Sequence, residues 1–176
     1  MRHIIISIFA VLMMAGCAIP MESREMQPQF DFYDTVDPQK FRDAIYIRDV
    51  EVEEGLGGAS PVLDEEFRDV LISSFRKAHL LEEEEEKAAY IMDARMVEMD
   101  QPITLLSGFN LIVSTAATYS VYRQPDGGVI FEETVRVPCT RGLGDAYDSE
   151  IRLRLASGCA VGENITHIIN LLAREQ

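Results

Sequence analysis

The chain has 176 residues, of which 47% are hydrophobic and 26% are charged, so wholesale disorder is excluded. This length predicts one domain of ordinary size. The 30 acidic and 16 Lys or Arg residues give a net charge of -14, which argues against a nucleic-acid partner, because binding to phosphates needs a basic surface.

The N-terminus has the three-part layout of a secretory signal peptide. A basic start, Met1–His3, precedes an apolar run over residues 4–14 that is too short to span a bilayer. Two small residues then precede Cys17. Residues 14–17 resemble the lipobox of bacterial lipoproteins, in which the cysteine becomes the first mature residue and carries acyl chains, although Met14 stands where Leu is commoner. The alternative is an ordinary cleaved signal followed by a chance cysteine.

The lipobox resemblance implies that residues 1–16 are a lipoprotein signal peptide and that Cys17 is lipidated. Each buried methylene contributes about 0.8 kcal/mol, so several acyl chains form a stable membrane anchor. Gram-negative lipoproteins with Asp after the cysteine stay in the inner membrane, so Ala18 implies the periplasmic face of the outer membrane. Removal of the signal removes one arginine and no acid, which leaves a charge of -15. Anionic lipid repels such a charge, so the acyl chains and not a basic patch must hold the protein at the membrane.

Residues 17–42 are predicted to contain the lipidated cysteine and a tether. Prolines recur there, and Gln, Glu and Asp are scattered without an amphipathic period. A flexible coil of this length spans roughly 25–30 Å. The aromatic residues of the segment favour docking onto the domain, with docking onto a partner as the alternative; they are Phe30, Phe32, Tyr33 and Phe41.

A single domain is predicted over residues 43–176, and it begins with a strand and a helix. Residues 45–52 alternate in polarity with a phase change near Arg48 and Asp49, which predicts a strand with a bulge. Ser60–Pro61 predicts the start of a helix, whose apolar residues recur at three- and four-residue steps up to Leu81. The acidic run Glu82–Glu86 opposes the helix dipole and predicts a solvated turn, with a cation site or a basic partner as the alternative.

The second half of the domain is predicted to contain three strands and a helix. Residues 88–99, 110–122 and 129–137 indicate an antiparallel meander. The helix over 147–174 contains Gly158 and Gly162, each costing about 1 kcal/mol, which indicate either close packing on the sheet or a break between two helices. The order β-α-β-β-β-α predicts an α+β two-layer sandwich, with a mainly antiparallel four-stranded sheet and two helices on one face.

Two cysteines besides Cys17 remain in the predicted mature chain, Cys139 and Cys159. The periplasm is oxidising, so the two can form a disulfide from the end of the last strand to the last helix. The alternative is a buried Cys159 and a free Cys139.

No motif for catalysis or metal binding is present. His79 and His167 belong to no metal-spaced pair, and the chain lacks a nucleophile elbow, a phosphate loop and a dinucleotide fingerprint. We therefore predict no catalytic residue, no metal and no cofactor.

The connection between the second and third strands is apolar for a turn. Leu105, Leu106 and Phe109 are predicted to contact a protein partner or lipid, because exposed apolar patches usually mark a contact. The alternative is that this connection folds back over the end of the sheet.

The lipobox, the linker and the β-α-β-β-β-α body together resemble small Gram-negative periplasmic lipoproteins. In layout the chain is similar to LptE-type lipopolysaccharide-assembly lipoproteins. Residues 89–97 are similar to the auxiliary lipoproteins of ABC-type lipid transporters, and residues 152–165 to an uncharacterised proteobacterial lipoprotein family. The resemblance implies a non-enzymatic accessory protein of envelope assembly or lipid transport that binds a protein partner or lipid. The alternative is an activator of a peptidoglycan synthase, which would need a longer linker.

Overall fold

The computed structural model describes residues 19–28, 40–58, 61–102 and 110–175. It has one four-stranded sheet in the order β1-β2-β3-β4 and two α-helices. The strands are β1 (Ile45–Val52), β2 (Tyr90–Asp100), β3 (Asn110–Arg123) and β4 (Val129–Gly142), and the helices are α1 (Asp64–Lys77) and α2 (Ser149–Arg174). Short 3₁₀ turns lie at Ser23–Glu25 and Glu85–Lys87.

The α+β class is confirmed, with one difference in the sheet. Strands β2, β3 and β4 form the predicted antiparallel meander, but β1 pairs with β2 in parallel. The parallel pairing arises because α1 connects these two strands as a crossover, so both run in the same direction. The predicted bulge in β1 is present as a register shift between Ile47 and Val50.

Helix α1 begins at Asp64, three residues later than Pro61, where the sequence predicted its start. Leu63 is still extended, and the neighbouring groups bond to other parts of the chain. The Pro61 carbonyl accepts a hydrogen bond from the Met21 backbone N–H at 3.0 Å, and Asp64 Oδ1 accepts one from the Val52 N–H at 2.7 Å. Because these contacts hold the segment before Asp64 in a non-helical conformation, the helix starts only after them.

Helix α2 is continuous over 26 residues, so the predicted alternative of two helices is wrong. Asp148 caps its N-terminus, because its side chain accepts hydrogen bonds from the N–H groups of Glu150 and Ile151. Gly158 and Gly162 are buried inside the helix. Tertiary packing therefore outweighs their low helix propensity.

A polar network joins α2 to the sheet inside the hydrophobic core. Tyr119 of β3 is fully buried and donates a hydrogen bond to Asn164 Oδ1 at 2.8 Å. The Asn164 amide in turn donates to the Val135 carbonyl at 2.8 Å, and Thr115 Oγ1 donates to the Ala160 carbonyl at 3.0 Å. Because these buried polar groups are partnered, the network fixes the position of α2 on the sheet instead of destabilising the core.

Candidate functional site

The described residues contain no group of three or more His, Cys, Asp or Glu side chains that could hold a metal ion. His79 lies in the turn after α1 and His167 lies in α2, and both are exposed. In the acidic run, Glu83 to Glu86 are exposed, with Glu83 paired to Arg76 and Glu84 to Lys87. The run therefore has the features of a solvated turn whose charges are partly paired.

A depression of about 500 Å³ lies between the end of β1 and the start of α1. Its described lining is apolar and acidic, from Val52 to Glu65, and includes no Ser, Cys, His or Lys. Within these lining residues, the structure describes no nucleophile paired with a base.

Two sets of residues predicted as sites lie outside the described residues. Cys17 is one, and the chain is described from Ile19 onwards. Leu105, Leu106 and Phe109 are the other set, and the structure describes the chain on either side of them, at Gln101 and Asn110. The predictions of lipidation and of partner contact therefore stay predictions.

In the structure, Cys139 of β4 and Cys159 of α2 form a disulfide bond. Their sulfur atoms are 2.00 Å apart and their Cα atoms 5.9 Å apart. The bond covalently ties the last strand to the last helix, as in the first of the two alternatives considered for these cysteines. Its formation in the cell is a prediction for thiol titration.

The N-terminal segment, residues 19–28, packs between α1 and α2. It lies within the predicted tether, whose docking onto the domain was expected through aromatic residues further along the chain. Met21 and Met26 are fully buried in the same core as the helices. The side-chain amide of Gln27 donates to Ser73 Oγ at 2.9 Å on α1. Two buried methionines and this bond hold the segment on the body, so the length available for a tether is much shorter than 25 residues.

The two glycines of α2 lie directly beneath the N-terminal segment. A Cβ atom at Gly158 would lie 2.2 Å from the Glu25 carbonyl oxygen, and one at Gly162 would lie 3.0 Å from the Gln27 carbonyl oxygen. Since any side chain at Gly158 would collide with backbone, the close approach requires glycine. Close packing on the sheet was one of the two alternatives that these glycines indicated. The packing is present, but its partner is the N-terminal segment and not the sheet.

An ion pair fastens the N-terminal segment to α2 at the same place. Arg154 donates from Nε and Nη2 to the two carboxylate oxygens of Glu25, both at 2.6 Å. Arg154 Nη2 also donates to the Pro20 carbonyl at 3.0 Å. These hydrogen bonds to Arg154 hold the pKa of Glu25 below its usual value. A two-pronged pair of this kind fixes geometry more firmly than a single contact.

The sequence favoured docking of the tether through its aromatic residues, of which Phe41 is buried in the core. It did not single out residues 19–28 for docking, although one signal was present. Gly158 and Gly162 are spaced four residues apart, so they lie on one face of α2. A pair of small residues on one helix face allows another backbone to approach closely. The sequence alone did not show which segment approaches, because Met21 and Met26 follow no helix or strand period.

No protein-family model matches the chain, and no curated protein sequence matches it. Solved structures are similar in fold. A candidate lipoprotein from Caulobacter crescentus CB15 superposes with a TM-score of 0.51 at 14% identity, over 77% of this chain and 92% of that one. A Xanthomonas campestris protein of the DUF330 family gives a TM-score of 0.51 at 10% identity, over 74% and 83%.

A minor lipoprotein from Acinetobacter baumannii is also similar, with a TM-score of 0.49 at 11% identity, over 75% of this chain and 91% of that one. The two similarities with a TM-score of 0.51 show that the fold is shared with those two proteins. Shared fold does not establish shared function. Within the described residues, no helix combines the length and hydropathy needed to cross a membrane.

Proposed function

We propose that this protein is a small, non-enzymatic lipoprotein of the Gram-negative cell envelope. Acylated Cys17 anchors it at the periplasmic face of the outer membrane, where it binds an envelope protein or lipid in assembly or lipid transport. The lipobox-like residues 14–17 support the anchor. Proteins of similar fold that are named as lipoproteins or candidate lipoproteins support the general class.

The observation that carries the proposal is the docking of the N-terminal segment directly after the predicted anchor. Ile19 is two residues from Cys17, and two residues span at most about 7 Å. The chain from Pro20 to Gln27 is bonded to the helices of the body. If Cys17 is acylated, the domain is held against the membrane surface and does not swing on a long tether.

This short connection separates the proposed role from the peptidoglycan-synthase activator. Such an activator, anchored in the outer membrane, must reach an enzyme of the inner membrane and needs a long linker. A free stretch of about 7 Å before a docked segment does not supply that reach. We therefore favour a partner or lipid within or next to the membrane that carries the anchor.

Lipidation and sorting are tested by two substitutions in a Gram-negative host. We expect mass spectrometry of the mature N-terminal peptide to show an acylated Cys17, and cell fractionation to place the protein in the outer membrane. Cys17→Ser should release it from membranes, and Ala18→Asp should move the acylated protein to the inner membrane. An unmodified wild-type N-terminus would refute the anchor.

The partner is sought by chemical crosslinking in intact cells, followed by purification and mass spectrometry. Replacing Leu105, Leu106 and Phe109 with Ser should remove the partner without lowering the melting temperature if these residues form the contact. Ile112→Ser is the matched control, because Ile112 is 56% exposed on the adjoining strand. A large loss of stability in the triple variant would show that these residues belong to the core.

A further inference from the structure

One part of the surface concentrates exposed apolar side chains. Eight large hydrophobic side chains are exposed among the described residues, and four of them lie in the N-terminal segment, just before α2 or in its first two turns. We call these four the apolar patch: Ile19 (64% exposed), Tyr147 (91%), Ile151 (54%) and Leu155 (43%). A concentration of this kind on a protein surface indicates a contact.

The geometry of α2 places three members of the patch together, and the fourth, Tyr147, lies four residues before Ile151 in the chain. Ile151 and Leu155 are four residues apart, so they are neighbours on one helix face. Gly158 and Gly162 continue that face and are covered by the backbone of residues 25–27. The Ile19 carbonyl accepts a hydrogen bond from Arg154 Nη1 at 3.5 Å. The N-terminal segment thus covers the part of this helix face at Gly158 and Gly162. Its first described residue, Ile19, lies beside the exposed part at Ile151 and Leu155.

The position of the predicted anchor identifies what covers the patch. Cys17 lies two residues before Ile19, so its acyl chains enter the bilayer within about 7 Å of the patch. Tyr147 suits this position, because tyrosine is enriched where membrane and water meet. We infer that the apolar patch contacts the bilayer in which the Cys17 acyl chains are embedded. This inference rests on the proposed anchor, and it adds that the domain has one fixed orientation on the membrane.

Three of the acids near the patch are engaged within the protein, and Glu150, beside Ile151, is exposed. Asp148 caps α2, Glu25 is paired with Arg154, and Glu22 lies 2.7 Å from Arg24. The net charge of the mature chain is nevertheless -15. The patch therefore contacts a zwitterionic surface, and anionic lipid weakens the contact by repulsion.

The test uses the mature chain, beginning at Cys17, attached chemically to a membrane. With the Cys139–Cys159 disulfide intact, Cys17 is the remaining thiol, since the chain has three cysteines. It is coupled to a maleimide lipid in phosphatidylcholine vesicles. This coupling does not depend on lipidation in the cell. A negative result for the patch would therefore leave the proposed lipid anchor untouched, and a failure to find lipidation in cells would not decide whether the patch contacts a bilayer.

Fluorescence gives the readout, because the chain contains no tryptophan. Tyr147→Trp places a probe in the patch, and Val129→Trp is the control at the far end of β4. Val129 is 57% exposed, and the fourteen residues of β4 place it roughly 45 Å from Gly142, where the chain turns toward α2. The vesicles contain phosphatidylcholine with brominated acyl chains, which quench a tryptophan that enters the bilayer.

We expect quenching to be several-fold stronger for Tyr147→Trp than for Val129→Trp. Adding Ile151→Ser and Leu155→Ser should abolish the difference without changing the melting temperature, because both side chains are already largely exposed. Vesicles rich in phosphatidylglycerol should reduce quenching of the Tyr147→Trp variant. Equal quenching at both positions, or none at position 147, would overturn the inference and leave the patch to a protein partner.

Discussion

Replacing Gly158 with alanine tests whether the N-terminal segment is docked as described. In an unpartnered helix this substitution stabilises by about 1 kcal/mol, because alanine has the higher helix propensity. Here the new Cβ would lie 2.2 Å from the carbonyl oxygen of Glu25 and 3.0 Å from its carbonyl carbon. The backbone of α2 or of the N-terminal segment must therefore move. Overpacking of this kind costs about 1–3 kcal/mol and occasionally more.

The collision at Gly158 belongs at the upper end of that range, because a side-chain rotation cannot relieve it. After subtraction of the helix-propensity gain of about 1 kcal/mol, we expect a net loss of about 2 kcal/mol. The alternative for the protein is to release the N-terminal segment, which exposes Met21 and Met26. Re-exposing two buried methionines costs roughly 3–6 kcal/mol, so a displaced but docked segment is the expected result.

The assay is urea unfolding of the unlipidated chain from residue 18 with its disulfide intact. Gly144→Ala is the control, since nothing lies within 4 Å of a Cβ at that loop glycine. The stability of the Gly144→Ala protein should therefore change little. The loss of stability in Gly162→Ala should lie between those of Gly158→Ala and Gly144→Ala, because a Cβ at Gly162 would lie 3.0 Å from its nearest carbonyl oxygens. Trypsin cleavage after the exposed Arg24 should be faster in the Gly158→Ala protein. If Gly158→Ala instead stabilised the protein by about 1 kcal/mol, the docking of residues 19–28 would be refuted.

Three further predictions concern the interactions around this region. Reducing the disulfide, which closes a loop with a sequence separation of 20, should lower the free energy of unfolding by about 3 kcal/mol, measured by urea titration with and without reductant. Hydrogen bonds from Arg154 lower the pKa of Glu25 in the folded protein. The stability that this pair adds is therefore complete above the unfolded pKa of 4.5, and it is lost as the pH falls through the lower pKa of the folded state. Glu25→Gln should reduce the loss of stability at acidic pH, measured as the free energy of unfolding against pH. Tyr119→Phe removes the donor to Asn164 Oδ1 and should cost about 1–3 kcal/mol, whereas Tyr147→Phe at an exposed site should cost almost nothing in the same denaturation assay.

Each of these three predictions has an outcome that contradicts it. If denatured protein isolated from the periplasm contained two free thiols, the predicted disulfide would be refuted. An acid limb that is equally steep in the wild type and in Glu25→Gln would mean that the ion pair with Arg154 adds nothing to stability. Equal stabilities of Tyr119→Phe and Tyr147→Phe would mean that the hydrogen bond to Asn164 is not made in solution.

The parts of the fold that the sequence predicted are those encoded by local periodicity. The face of α1 recurs at three- and four-residue steps, so Phe67, Leu71 and Phe75 identified a helix before its neighbours were known. The meander of β2, β3 and β4 followed from alternation and a tight connection between β3 and β4. The direction of β1 did not follow, because it depends on the path of α1 across the sheet and not on the residues of β1.

The site was predicted less well than the fold. The sequence alone identified the lipobox-like residues up to Cys17, because this signal lies in consecutive residues. It also gave two alternatives for Cys139 and Cys159, a disulfide bond or two unbridged cysteines. The structure has them bonded, and bond formation in the cell stays a prediction. The contact residues Leu105, Leu106 and Phe109 remain a prediction, since the structure does not describe them.

By itself, the sequence predicted the α+β class, which the structure confirms, and a lipobox-like signal in front of an acidic domain, which stays a prediction. Only the tertiary structure decided that residues 19–28 belong to the body. That contact joins Glu25 to Gly158 and Arg154 across more than 120 residues of chain. A contact of this range leaves no local period in either partner, because it depends on two backbones meeting after the sheet and helices have formed. The same contact determines how close the domain lies to its predicted anchor at Cys17, and the proposed orientation at the membrane depends on it.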